Sequence, residues 1–178
     1  MLHFKNLLDS VERSDGKKIR ILDAGGSVRF WERVDFSISK FQITVVNLII
    51  HESTNDGITS IYGDVLDLSS FPDDSFDVIF SNSVIEHVGS WENQVRMSHE
   101  LLRFNSPIFL QTPNFWFPME PHFLFPFFQF LPLKLRALLL YNFNLGGYDR
   151  AKTWDDALNE VRMIRLLTRR NLRKLFPG

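Results

Sequence analysis

Apolar positions at Leu2, Phe4, Leu7, Leu8 and Val11 recur at helical spacing and predict a helix over 2–13, ended by Ser14, Asp15 and Gly16. The spacing then changes. Ile19, Ile21 and Leu22 form a short strand-like run that Asp23 ends. Ala24, Gly25 and Gly26 follow as a tight loop, with Ser27 placed to cap a short helix over 28–34 carrying Trp31 and Val34 on one side. Residues 41–50 read F-Q-I-T-V-V-N-L-I-I, β-branched and apolar as in a strand buried on both faces of a parallel sheet. Asn55, Asp56 and Gly57 make a turn into a third strand over 58–62, ended by Gly63 and Asp64. Residues 76–80, F-D-V-I-F, predict a fourth strand. Ser90 caps the next helix, with Trp91, Val95, Ser98 and Leu102 as its inner face, and residues 107–111 predict a fifth strand.

Strands alternating with helices predict a doubly wound, mostly parallel α/β sheet. At 178 residues the expectation is one domain over 1–178. Residues 113–140 break the alternation, with five prolines and, between 115 and 130, seven phenylalanines. The uncharged run 121–133 is shorter than the roughly 20 residues a bilayer span needs, and its prolines forbid one helix. Segment 113–150 is therefore expected as a lid or an inserted piece of core. Residues 134–140 read as helix. Thr153 with Asp156 forms a capping-box pattern opening a helix with Trp154, Leu158 and Val161 inside, and Thr168 caps a last helix to Phe176.

Composition changes the picture in few places. Net charge is −1, which gives no drive toward nucleic acid. The absence of cysteine excludes disulfides, thiolate zinc sites and cysteine nucleophiles, and fits a reducing compartment. The first ten residues lack a basic stretch followed by an apolar one, so no signal peptide and a cytoplasmic location are expected. From Val161 onward there are six basic residues (Arg162, Arg165, Arg169, Arg170, Arg173, Lys174) and no acidic side chain. That end is a solvated helix face or a contact for anionic lipid or a phosphate-bearing substrate.

Three features fall at the carboxyl ends of predicted strands, where α/β sheets bind ligands: Asp23-Ala24-Gly25-Gly26, Gly63-Asp64-Val65 and Ser81-Asn82-Ser83. The two glycines remove side chains where a ligand would approach the backbone. No G-x-G-x-x-G, G-x-S-x-G or H-E-x-x-H pattern is present, which disfavours a nicotinamide enzyme and leaves no metal site by linear spacing.

The string G-D-V-L-D-L-x₃-P-D-D-S-F-D-V-I-F-S-N-S-V-I-E-H-V resembles class I S-adenosylmethionine-dependent methyltransferases, and Q-T-P-N-x-W-F-P-x-E-P-H-F resembles small bacterial members. The resemblance implies a Rossmann-like core of five strands in order 3-2-1-4-5, S-adenosyl-L-methionine as cofactor and a small-molecule acceptor; the aromatic segment 113–140 suits an apolar or lipid-linked one. It places the loop Asp23, Ala24, Gly25 and Gly26 under the methionine part, with Asp23 ordering the loop or attracting the ammonium. Asp64 would accept from the adenine amine, with the Val65 N–H on the ring. Ser81 and Asn82 would lie beside the sulfonium. His87 and His122 are the candidate bases. The ribose hydroxyls, usually held by an acidic residue after strand two, would meet Asn47, or Glu52 instead. A third loop glycine is missing, and the family's final β-hairpin is not in the chain; a non-catalytic relative is the competing expectation. Strand five would then be an open apolar edge, with pairing of two copies as one outcome.

Overall fold

The computed structural model describes residues 2–11, 16–34 and 38–177; the side chains of Leu2 and Ile38 are outside that description, as are the Ser14 and Asp15 of the expected helix stop. Two compact units are present: residues 1–85 with 95–111, and residues 86–94 with 112–178.

The first unit holds a five-stranded parallel sheet in the order β3-β2-β1-β4-β5. Its strands are β1 (Ile19–Ala24), β2 (Phe41–Asn47), β3 (Ile58–Tyr62), β4 (Val78–Asn82) and β5 (Ile108–Gln111). Helix α1 (Leu2–Ser10) buries Phe4 and Leu8 against Ile21, Ile43, Val45, Val78 and Phe80, and α2 (Val28–Arg33) adds Trp31 to the same core. Phe4 lies 4.7 Å from Phe80 and 5.9 Å from Trp31 between ring centroids. The expected fold class and strand order are those observed.

Several boundaries differ, each for a local reason. β2 stops at Asn47, and Leu48, Ile49 and Ile50 are exposed. The Ile49 N–H donates to Asn47 Oδ1, so an Asx turn ends the strand before its apolar tail. β4 begins two residues later than expected. Asp77 lies ahead of it, gripping the Arg20 backbone N–H and guanidinium, both at 2.8 Å. Ser27 occupies the cap position of α2 without a side-chain bond. In α3 (Trp91–Leu102) Ser98 is buried as predicted, but the other buried residues are Gln94, Met97 and Leu101 rather than Trp91, Val95 and Leu102. The polar pair can be buried because Gln94 Nε2 donates to the Arg165 carbonyl and Ser98 Oγ to the Val95 carbonyl.

The second unit contains the antiparallel pair β6 (Met119–Glu120) and β7 (Phe125–Pro126), then α4 (Leu133–Asn142), α5 (Trp154–Met163) and α6 (Arg169–Leu175). Its core joins Phe123, Phe128, Ala137, Leu140, Ala157, Val161 and Ile164. Both α5 and α6 open with capping boxes, Thr153 with Asp156 and Thr168 with Asn171. Ala157 and Val161 form the buried face of α5, while Trp154, predicted inside, is partly exposed against Tyr141. No described helix is long and apolar enough to cross a membrane.

Candidate functional site

At the carboxyl end of β1 the chain turns sharply over the Asp23 carboxylate. Gly25 adopts φ +82°, and its N–H donates to the Val46 carbonyl at 2.8 Å. A Cβ on Gly26 would land on the Asp23 carboxylate, and one on Gly25 would meet Val84. The glycines are therefore required first by close packing within the loop, a different reason from the ligand approach expected of them. Asn47 closes the loop from the end of β2, donating from Nδ2 to the carbonyls of Gly25 at 3.0 Å and Gly26 at 2.7 Å.

Asp23 is fully buried. Its Oδ2 accepts from Trp31 Nε1 at 2.7 Å, while Oδ1 has no hydrogen-bond partner among the described residues. Burial pushes this carboxyl up to about 7, against the Trp31 N–H, which pulls it down. Across the sheet Ser81 Oγ donates to the Ala24 carbonyl at 3.1 Å. A cavity of about 240 Å³ opens here, lined by Asp23, Gly25, Gly26, Ser27, Phe30, Asn47, Phe80 and Asn82.

Seven of the residues singled out from sequence, Asp23, Ala24, Gly25, Gly26, Asn47, Ser81 and Asn82, thus gather at one switch point of the sheet. Asp64 and Val65 follow β3 and do not line this cavity. Asp64 is exposed and its Oδ1 accepts from the Leu66 N–H at 2.9 Å, while Val65 is buried. Glu52 is exposed beyond β2. Phe30 and Phe80 line the cavity without having been anticipated; their only signal is a place just after, or within, the elements that carry the loops.

In the second unit His87 and His122 meet, Nε2 to Nε2, at 3.1 Å. His122 Nδ1 lies 2.7 Å from Glu120 Oε1, and Glu120 Oε2 accepts the backbone N–H groups of His122 and Phe123. Glu86, fully buried, accepts from Thr112 Oγ1 at 2.8 Å through Oε2. Burial holds the His87 imidazole below its ordinary value. The two glutamates were visible in E-H and E-P-H but had no assigned role, because 34 positions separate them. A second cavity, of about 420 Å³, lies wholly in this unit. Phe123, Phe128 and Leu133 give it apolar walls, and Arg136, Arg162 and Arg165 give it cationic ones. Arg136 Nε is buried without a hydrogen-bond partner.

A parallel 3-2-1-4-5 sheet with a glycine loop over a buried aspartate defines a Rossmann-like core of the class I S-adenosylmethionine-dependent methyltransferase type. A family model described as a methyltransferase domain matches residues 4–177, and the chain belongs to that family. Over 63 residues the chain is 36% identical to an uncharacterized protein of Mycobacterium tuberculosis (strain ATCC 25618 / H37Rv), a match that takes in 35% of this chain and 22% of that protein. Among solved structures, a methyltransferase assigned to an antibiotic biosynthesis pathway of Anabaena variabilis superposes with TM-score 0.55 at 16% identity. That superposition covers 98% of this chain and 59% of the other, and it shows a shared fold. An S-adenosylmethionine-dependent methyltransferase of Mesorhizobium loti aligns with TM-score 0.48 at 18% identity, over 68% of this chain and 57% of its own. The chain thus spans 59% or less of the length of each of these relatives.

Proposed function

We propose that this protein transfers the methyl group of S-adenosyl-L-methionine to a small-molecule acceptor. The observation that carries this reading is the unpaired, buried Asp23 Oδ1 at the wall of the 240 Å³ cavity. A buried carboxylate oxygen without a donor is unfavourable, and a ligand ammonium supplies the missing partner. The residues present fit the cofactor's donor and acceptor set. Asp23 takes the ammonium, the Gly25-Gly26 backbone held by Asn47 fixes the loop around the amino-acid part, and the exposed Asp64 accepts from the adenine amine. Bound there, the cofactor supplies an electrophilic methyl group on a sulfonium.

The chain's own work is then orientation and exclusion of water. Holding reactants in line contributes up to roughly 7 to 11 kcal/mol, so a strong base is not required of it. Asn82 and Phe80 shape the cavity wall.

Calorimetry with S-adenosylhomocysteine, S-adenosylmethionine and NADH tests the reading. One equivalent of each adenosyl ligand and no NADH is expected. NADH binding, or no adenosyl ligand bound by folded protein, overturns it.

A further inference from the structure

We propose that Glu86, His87 and His122 form a binding site for one divalent transition-metal ion, with Glu120 as the carboxylate that orients His122. Among the described residues these three are the group whose ligand atoms converge, all within 4.8 Å of one another. The proposal is independent of the reading of the first unit.

The hydrogen bonding selects the donors. Glu120 Oε1 accepts a hydrogen bond from the Nδ1–H of His122, which leaves the His122 Nε2 lone pair pointing at His87. A carboxylate behind a histidine in this way is the arrangement that fixes metal-ligating imidazoles. Glu120 is itself held by two backbone N–H groups, so it does not swing away. The two Nε2 atoms, 3.1 Å apart, nearly match the separation of roughly 3.3 Å for two nitrogens on one tetrahedral zinc with bonds of about 2.0–2.1 Å.

The second observation is an orphan. Glu86 is fully buried, Thr112 holds its Oε2, and Oε1 has no hydrogen-bond partner among the described residues. That free oxygen lies 4.0 Å from His122 Nε2. A buried carboxylate oxygen left unpaired beside two imidazole nitrogens is a cost unless a cation joins them. Two imidazoles and one carboxylate favour zinc-like ions over magnesium or calcium, which prefer all-oxygen sets. Three protein ligands leave a position for water or for an oxygen atom of a bound molecule.

In the metal-free protein His87 donates its Nε2–H to His122. Metal binding through His87 Nε2 requires that proton to sit on His87 Nδ1.

The test is titration of the full chain with Zn²⁺ by calorimetry in the presence of a competing chelator, with Co²⁺ spectra as a second readout. We expect one equivalent bound. His87→Ala or His122→Ala weakens it by about 100-fold or more, and Glu120→Gln by roughly 10- to 100-fold. His51→Ala and His99→Ala, at exposed positions that are not part of the cluster, leave it unchanged. Should an alanine variant fail to fold, nitrogen NMR of the imidazoles in the unaltered protein decides. Zinc must shift two histidines together. Absence of stoichiometric binding, binding undiminished in the two alanine variants, or shifts on any other pair of histidines overturns the proposal.

Discussion

The indole N–H of Trp31 donates to Asp23 Oδ2 at 2.7 Å, and both side chains are buried, so among the described residues the carboxylate beneath the glycine loop is held by one bond. Its pKa rises from the ordinary 3.8 to about 7. Between those values the folded protein keeps a proton that the unfolded chain has released. Stability contributed at this position therefore falls as pH rises from about 4 to about 7, by roughly 4 kcal/mol in total. Asp23→Asn removes this slope and is expected to be the more stable protein at pH 8. Urea unfolding at pH 4.5, 6 and 8 measures it; parallel curves for the two proteins would refute the assignment.

The same proton opposes a cationic ligand. A ligand ammonium stays charged below pH 7, while Asp23 must ionise to receive it. Affinity for S-adenosylhomocysteine is expected to rise close to tenfold from pH 5.5 to 6.5. Asp23→Asn should bind more weakly and without this slope. Calorimetry at the two pH values, for both proteins, checks the expectation.

Asn47 stands where an acidic residue would be expected to meet a ribose, yet its amide nitrogen donates to the Gly25 and Gly26 carbonyls. A carboxylate in its place would face two carbonyl oxygens with no hydrogen to offer them. Asn47→Asp is thus expected to destabilise the protein by about 2 to 3 kcal/mol and to loosen adenosyl-ligand binding, not to improve it. Asn47→Ala should cost about 1 to 3 kcal/mol, because it leaves the two carbonyls without their donor. Denaturant midpoints and ligand titration of both variants read this out.

Asp64 is a separate case, exposed and outside the 240 Å³ cavity. If it accepts from the adenine amine, Asp64→Ala weakens S-adenosylhomocysteine by about 1 to 3 kcal/mol with the melting temperature nearly unchanged. Equal affinity in that variant removes Asp64 from the site.

The strands and the glycine loop were legible in sequence because they rest on local signals, β-branched runs and turn residues, while the strand order came from the resemblance that the motif string carries. The end of β2 was not, because Leu48, Ile49 and Ile50 continue an apolar pattern that the Asn47 side chain interrupts. The buried face of α3 was misread at Gln94, a polar residue that is buried because its side chain donates to a backbone carbonyl, whereas Ser98 was expected inside and is. The His87–His122 pair depends on chain segments 35 positions apart, and no spacing rule spans such a gap.

The phenylalanine-rich segment separates into two kinds of residue, and neighbouring positions show it. Phe128 is buried beside Phe123, with ring centroids 4.3 Å apart, in the core of the second unit. Phe127 is 57% exposed and adopts φ +58°, a left-handed conformation that strains a bulky side chain. Its N–H still donates to the Pro118 carbonyl, which fixes the turn. Phe128→Ala should therefore cost about 3 to 5 kcal/mol, as for other buried aromatic deletions. Phe127→Gly should not destabilise and should gain up to about 1 kcal/mol, since relief of the left-handed penalty of roughly 1 to 2 kcal/mol exceeds the added freedom of the unfolded glycine. Chemical denaturation of the two single variants compares them directly. If Phe127→Gly proves as damaging as Phe128→Ala, the exposed ring is part of the packed structure after all.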